Sequence, residues 1–301
     1  MKKRTLQVQK LTLALGIDKF LFDCKARKLS PRTIEHYAST LKKFIAFTGD
    51  LPLKTITKDD VSAFLISGSE AGLSDSSLDG QVRDLRAFFN YNSHKINLKN
   101  IKVQEKVIIP FTKEQIKLLL KQPDKNTYSG LRDYTLISLL LDTGARISEA
   151  LGICKQDILI DSGQIFIKGK GKKERFIPLG ESCHKILKEY LRAVDDIPLD
   201  KPIFRSVYDN PLNRQTFNQR IQAYAQKAKI TGVRASCHTF RHTFAKMYIL
   251  NGGDQFTLQA ILGHETMEMV RRYVDMFSGD IKEQHRKYSP LDSLVNKKRR
   301  L

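Results

Sequence analysis

Along the chain, apolar and polar positions alternate in two distinct rhythms. In LSPRTIEHYASTLKKFIAF, starting at Leu29, the residues Ile34, Tyr37, Leu41, Phe44 and Ile45 return at helical spacing, with Ser30 placed to cap and Pro31 suited to the first turn. A second helix is expected from Thr57, where Asp60 completes a capping-box pattern ahead of Val61, Phe64 and Leu65. A third runs from Ser77 to Tyr91 on an apolar face of Leu78, Val82, Leu85, Phe88 and Phe89. Residues 10–95 thus read as a small helical domain. The rhythm lapses over 96–111, read as a linker, and resumes at a fresh capping box, Thr112 to Gln115.

Residues 112–288 read as a second domain and 289–301 as a basic tail. Helices are expected at 112–122, at 130–141 and directly after Gly144. From Asp157 to Leu179 the period shortens: β-branched runs broken at Asp161-Ser-Gly163 and Gly169-Lys-Gly171 predict a three-stranded antiparallel meander. Helical stretches follow at 181–194, 213–229, 239–251, 255–262 and 266–277. The fold class is therefore mainly α with one small antiparallel β-sheet.

Composition narrows the partner. The 301 residues include 52 Lys+Arg against 32 Asp+Glu, a net +20 spread over the whole chain, which points to a polyanion, with nucleic acid the first candidate. Cys24, Cys154, Cys183 and Cys237 lie far apart without CxxC spacing, so neither a zinc ribbon nor a disulfide framework is suggested. No signal peptide or membrane span is read, and a cytoplasmic setting is expected. A GxxxxGK[ST] loop is absent from the sequence, so no ATP and no other cofactor is expected.

Several residues stand out for chemistry. Arg146 follows Thr143-Gly144 at a helix start, where a cation opposes the helix dipole unless an anion is held there; a surface arginine fits the same position. Lys170, between two glycines, can reach outward from a tight turn, and its ammonium can give up a proton as an arginine cannot. His238 and Arg241 share a helix face, with His242 one position further round. Zinc on His238 and His242 would lack the HExxH glutamate and a nearby third ligand, and no metal is expected. His264 adds an imidazole, and Tyr273 a hydroxyl that becomes a nucleophile only when other groups are brought to it. Alone, Tyr273 would read as a core aromatic. Together these residues form an anion clamp with proton-transfer groups, suited to phosphoryl transfer without Mg²⁺.

In order and spacing, Arg146 in TGARISEALG, Lys170 in IKGKGKKERFIPLG, His238 and Arg241 in HTFRHTFA, His264 in LGH and Tyr273 nine residues on resemble the tyrosine recombinases, both Xer-type resolvases and phage or transposon integrases. The match covers 112–277, and the preceding helical unit resembles the family's core-binding domain. The resemblance implies a C-shaped clamp on double-stranded DNA and a site-specific recombinase working through a 3′-phosphotyrosyl intermediate and a Holliday junction. Tyr273 would attack the scissile phosphate. Arg146 and Arg241 would hold the non-bridging oxygens, Lys170 would protonate the departing 5′ oxygen, His238 would assist at the tyrosine, and His264 would hydrogen-bond the phosphate. Glu149 would support the site by hydrogen bonding. The family's habits further imply a homo-tetramer on two sites, with residues 278–301 passed between protomers. Val274-Asp275 departs from the Thr-His common after the tyrosine. No arm-binding segment precedes residue 10, as expected of a simple recombinase. A type IB topoisomerase and a catalytically inactive DNA-binding module are the competing readings, and Arg214, Gln215, Asn218 and Arg220 are candidate base contacts that a solvated helix face explains as well.

Overall fold

The computed structural model of the chain describes residues 11–104, 108–168, 174–263, 266–268, 270–271, 285 and 289–291. It divides into two units, Met1–Lys106 and Val107–Leu301.

The first unit holds four helices, α1 (Leu13–Ala26), α2 (Pro31–Thr48), α3 (Lys58–Glu70) and α4 (Asp75–Tyr91). Their starts follow the side-chain chemistry. Ser30 accepts from the Thr33 amide with Pro31 in the first turn, Thr57 and Asp60 form a reciprocal capping box, and Ser74 caps α4. The sequence reading did not include α1, although Leu13, Ile17, Phe20 and Cys24 recur at helical spacing and all are buried. Its apolar stripe is blurred by Phe22, which is 74% exposed. Phenylalanines meet edge-on within a mainly aliphatic core: Phe44 and Phe64 have centroids 5.3 Å apart, and Phe20 and Phe88 5.8 Å. Residues 96–101 carry no regular structure but do not stand off as a free linker. Leu98 is buried, Ile96 and Ile101 pack on the same core, and Arg86 donates to the Leu98 carbonyl.

The second unit is built around α6 (Tyr128–Thr143), preceded by α5 (Lys113–Leu120). Leu136, Ile137, Leu139 and Leu140 are successive or nearly so, and all are buried. A helix apolar around its circumference must be covered on all sides, so α6 becomes the unit's centre. Its polar residues are paired there: Arg132 donates through Nε and Nη2 to Asp133 Oδ1, while Arg220 and the Tyr224 hydroxyl donate to Oδ2.

After α6 come the short α7 (Ile147–Leu151) and the strands β1 (Ile158–Leu159), β2 (Gln164–Lys168) and β3 (Glu174–Pro178), ordered β1-β2-β3 and antiparallel throughout. This is the expected meander. The remaining helices are α8 (Glu181–Ala193), α9 (Arg214–Lys227), α10 (Cys237–Leu250) and α11 (Gln255–Leu262). Met267, Glu268, Val270 and Arg271 are helical, and the rest of the helix expected over 266–277 lies outside the described residues. No described helix is long and apolar enough to cross a membrane.

Candidate active site

The TGAR turn owes its path to Gly144. This residue ends α6 in the left-handed conformation at φ +59°, and a Cβ on it would lie 2.4 Å from Phe244 Cδ1 and 2.7 Å from Leu262 Cδ2. The close approach presses the turn against α10 and the end of α11, bringing three sequence-distant segments together.

Arg146 then stands at the N-cap of α7. Its backbone amide donates to Glu149 Oε2 at 2.8 Å and its Nη1 to Oε1 at 2.9 Å. The carboxylate of Glu149, three residues on, thus takes the N-cap amide. The Arg146 side chain stays 43% exposed, so its guanidinium still faces solvent. Glu149 is buried at the same place. Burial opposes its charge, but hydrogen bonds from Arg175 and the Arg146 amide outweigh burial and hold its carboxyl below the usual range.

Arg241, on α10, is buried. It donates from Nη1 to the Gly144 carbonyl at 2.7 Å and from Nη2 to the Leu262 carbonyl at 2.8 Å, bolting the turn to α11. The neighbouring Gly263 carbonyl lies 3.5 Å from Arg146 Nη2, so the two guanidiniums meet adjacent peptides. His238, in the first turn of α10, reaches the surface, where its Nε2 lies 3.1 Å from Arg214 Nη2. A guanidinium can only donate, so Nε2 accepts and the ring proton sits on Nδ1. Partial burial, then the charges of Arg214, Arg241, Arg146 and Arg234, keep this imidazole below its ordinary pKa. His238 is consequently a neutral imidazole among cations, able to accept a proton.

The structure thus brings Arg146, Glu149, His238 and Arg241 together. Lys170, His264 and Tyr273 lie outside the described residues, although Gly263, immediately before His264, ends α11 at φ +63°. Lys168, at the base of the Lys170 turn, is bonded to Asp157 at 2.8 Å.

The site also contains residues not singled out from the sequence. Arg175, on β3, grips Glu149 through both terminal nitrogens at 3.2 and 3.0 Å. It shares the inward face with Ile177, two residues on, and pairs in register with buried Ile167. A cation on the inward face of a strand was the available signal. Of the four α9 candidates for base contact, Arg220 is engaged by Asp133 and the Asn218 side chain accepts from the Cys237 amide, so both have structural partners, whereas Arg214 flanks His238.

His242 gives a pH prediction. Burial first, then electrostatic coupling to the His238 ring as it gains a proton and to the Arg241 charge, lower its pKa from 6.5 to about 4. Between these values the unfolded chain binds more protons than the folded one, so stability rises with pH across that window and is lost as pH falls from about 6.5 toward 4. His242→Gln should flatten this part of a plot of unfolding midpoint against pH, and an unchanged slope would count against the assignment.

A family model decides the kinship: that of the phage integrase family matches residues 110–278, and that of the phage integrase N-terminal SAM-like domain matches 17–95. The chain belongs to the phage integrase family. The chain is 29% identical to tyrosine recombinase XerD of Shewanella oneidensis over 289 residues, covering 91% of this chain and 96% of that one. It is also 29% identical to tyrosine recombinase XerC of Oceanobacillus iheyensis over 296 residues, covering 92% and 97%. In fold the chain is similar to XerH site-specific recombinase bound to palindromic difH substrate, with TM-score 0.72, 22% identity and coverage of 93% and 96%. A lambda integrase tetramer bound to a Holliday junction gives TM-score 0.73 at 19% identity, with coverage of 91% and 81%.

Proposed function

We propose that this site-specific DNA recombinase cuts and rejoins duplex DNA through a covalent link to Tyr273. The observation that carries the reading is the convergence of Arg146 and Arg241 on the end of α11, directly before His264, with a neutral His238 that feels both charges. Guanidiniums there are suited to hold the two non-bridging oxygens and to offset charge that builds on them in the transition state. His238 accepts the hydroxyl proton as the Tyr273 oxygen bonds to phosphorus. The P–O5′ bond breaks, Lys170 supplies the proton to the departing 5′ oxygen, and His264 hydrogen-bonds the phosphate. The product is a 3′-phosphotyrosine that keeps the energy of the broken bond for rejoining, so no ATP is needed. Four protomers on two sites would exchange strands pairwise through a Holliday junction, with residues 278–301 linking neighbours.

The test uses duplexes from DNA flanking this gene, nicked near candidate sites so that cleaved ends are trapped. A denaturation-resistant adduct whose digested peptide carries its nucleotide on Tyr273 is the expected result. Tight binding without an adduct would identify an inactive DNA-binding module. Relaxation of supercoiled DNA of arbitrary sequence would identify a topoisomerase instead.

A further inference from the structure

The last carbonyls of α11 meet cations in succession. Ile261 accepts from Arg175 Nε at 2.9 Å, Leu262 from Arg241 Nη2 at 2.8 Å, and Gly263 faces Arg146 Nη2 at 3.5 Å. Cations suit the negative end of a helix dipole, and here they also fix where the chain leaves the helix toward His264. Arg175, like Arg241, joins separate elements. From β3, the strand that follows the Lys170 turn, it holds Ile261 on α11 with Nε and the Glu149 carboxylate on α7 with Nη1 and Nη2. Its side chain is only 15% exposed, against 43% for Arg146. A Cβ on Gly263 would lie 2.9 Å from its guanidinium carbon, so the left-handed glycine leaves room for this group.

We propose that Arg175 is a positioning residue of the strand-cleavage site. It acts through Glu149 and the Ile261 carbonyl and does not touch the scissile phosphate. Without it, Glu149 is left with the Arg146 guanidinium and amide as its partners. The carboxylate then draws Arg146 inward and competes with phosphate for its charge. At the same time the last turn of α11 loses its bond at the Ile261 carbonyl. Lysine cannot substitute, because one ammonium cannot reproduce a planar fork serving two carboxylate oxygens and a carbonyl. The proposal rests on the reading of the site as one for phosphoryl transfer.

The experiment measures single-turnover cleavage of a trapped, nicked duplex and, separately, affinity for the same duplex, using the full chain. Arg175→Ala and Arg175→Lys should each slow cleavage about 10²-fold, the usual consequence of a displacement near 1 Å at a reacting centre, with DNA affinity unchanged. Guanidinium ion at non-denaturing concentration, against a control at equal ionic strength, should restore part of the rate to Arg175→Ala. Glu149→Gln combined with Arg175→Ala should be no slower than Arg175→Ala alone, because the route through Glu149 is already lost with Arg175. Cleavage at the unsubstituted rate, a loss that guanidinium does not relieve, or a double variant whose losses multiply would each overturn the proposal. A chain with native Arg175 that binds but forms no adduct would instead overturn the reading of the site itself.

Discussion

Alanine at Arg146 and alanine at Arg241 are expected to suppress cleavage alike, by about 10²- to 10³-fold each, the loss typical when a preorganised donor to developing charge is removed. Their effects on the fold should diverge. The Arg146 side chain is 43% exposed, and Glu149 keeps Arg175 as a partner after its removal. Unfolding stability should therefore fall by less than it does for Arg241→Ala. Arg241 is buried and supplies charge-assisted bonds to the Gly144 and Leu262 carbonyls. Each such bond contributes about 1.5–3 kcal/mol, so Arg241→Ala should cost roughly 3 kcal/mol or more. Single-turnover cleavage and calorimetric unfolding, run on both variants, check the pair. Equal stability losses would mean that the two arginines share the anchoring role, contrary to their different burial.

The second large effect is purely structural. Asp133 is fully buried, with Arg132 3% exposed beside it and Arg220 and Tyr224 on its other oxygen. Asp133→Ala leaves the Arg132 charge without its carboxylate in the interior, a change that typically costs 3–5 kcal/mol. For a unit of this size that lowers the unfolding temperature by roughly 10 °C. Only the transition of the second unit should move, since Asp133 lies wholly within Val107–Leu301. A shift of under about 2 °C would show that Arg132 finds other compensation, for which its bond to the Arg205 carbonyl at 2.7 Å is the available candidate.

Much of the fold was legible because short-range chemistry dictates it. Thr57 with Asp60 and Thr112 with Gln115 cap their own helices, and the breaks at 161–163 and 169–171 divide a β-branched stretch into strands. The site was partly legible for a different reason: an arginine at a helix start just after a glycine turn opposes the helix dipole unless an anion is held there. What escaped notice depended on contacts between distant segments. Asn218 and Arg220 looked like surface residues until α9 was seen against Asp133 and the start of α10. Arg175 has its partners on α7 and α11, 26 and 86 residues away, which no local pattern announces. At the start of α7 the amide of Arg146 goes to Glu149.

By itself, then, the sequence determined the class of elements, the division into a helical unit and a mixed unit, and the set of groups from which a phosphoryl-transfer site could be drawn. Tertiary structure alone decided which of the chain's many arginines face solvent and which serve as fasteners. Charge and spacing are the same for both kinds. The difference lies in desolvation and in the carbonyl or carboxylate each guanidinium meets; for Arg175 with Glu149, Arg241 with its two carbonyls and Arg146 with Gly263 these partners come from 21 to 117 residues away.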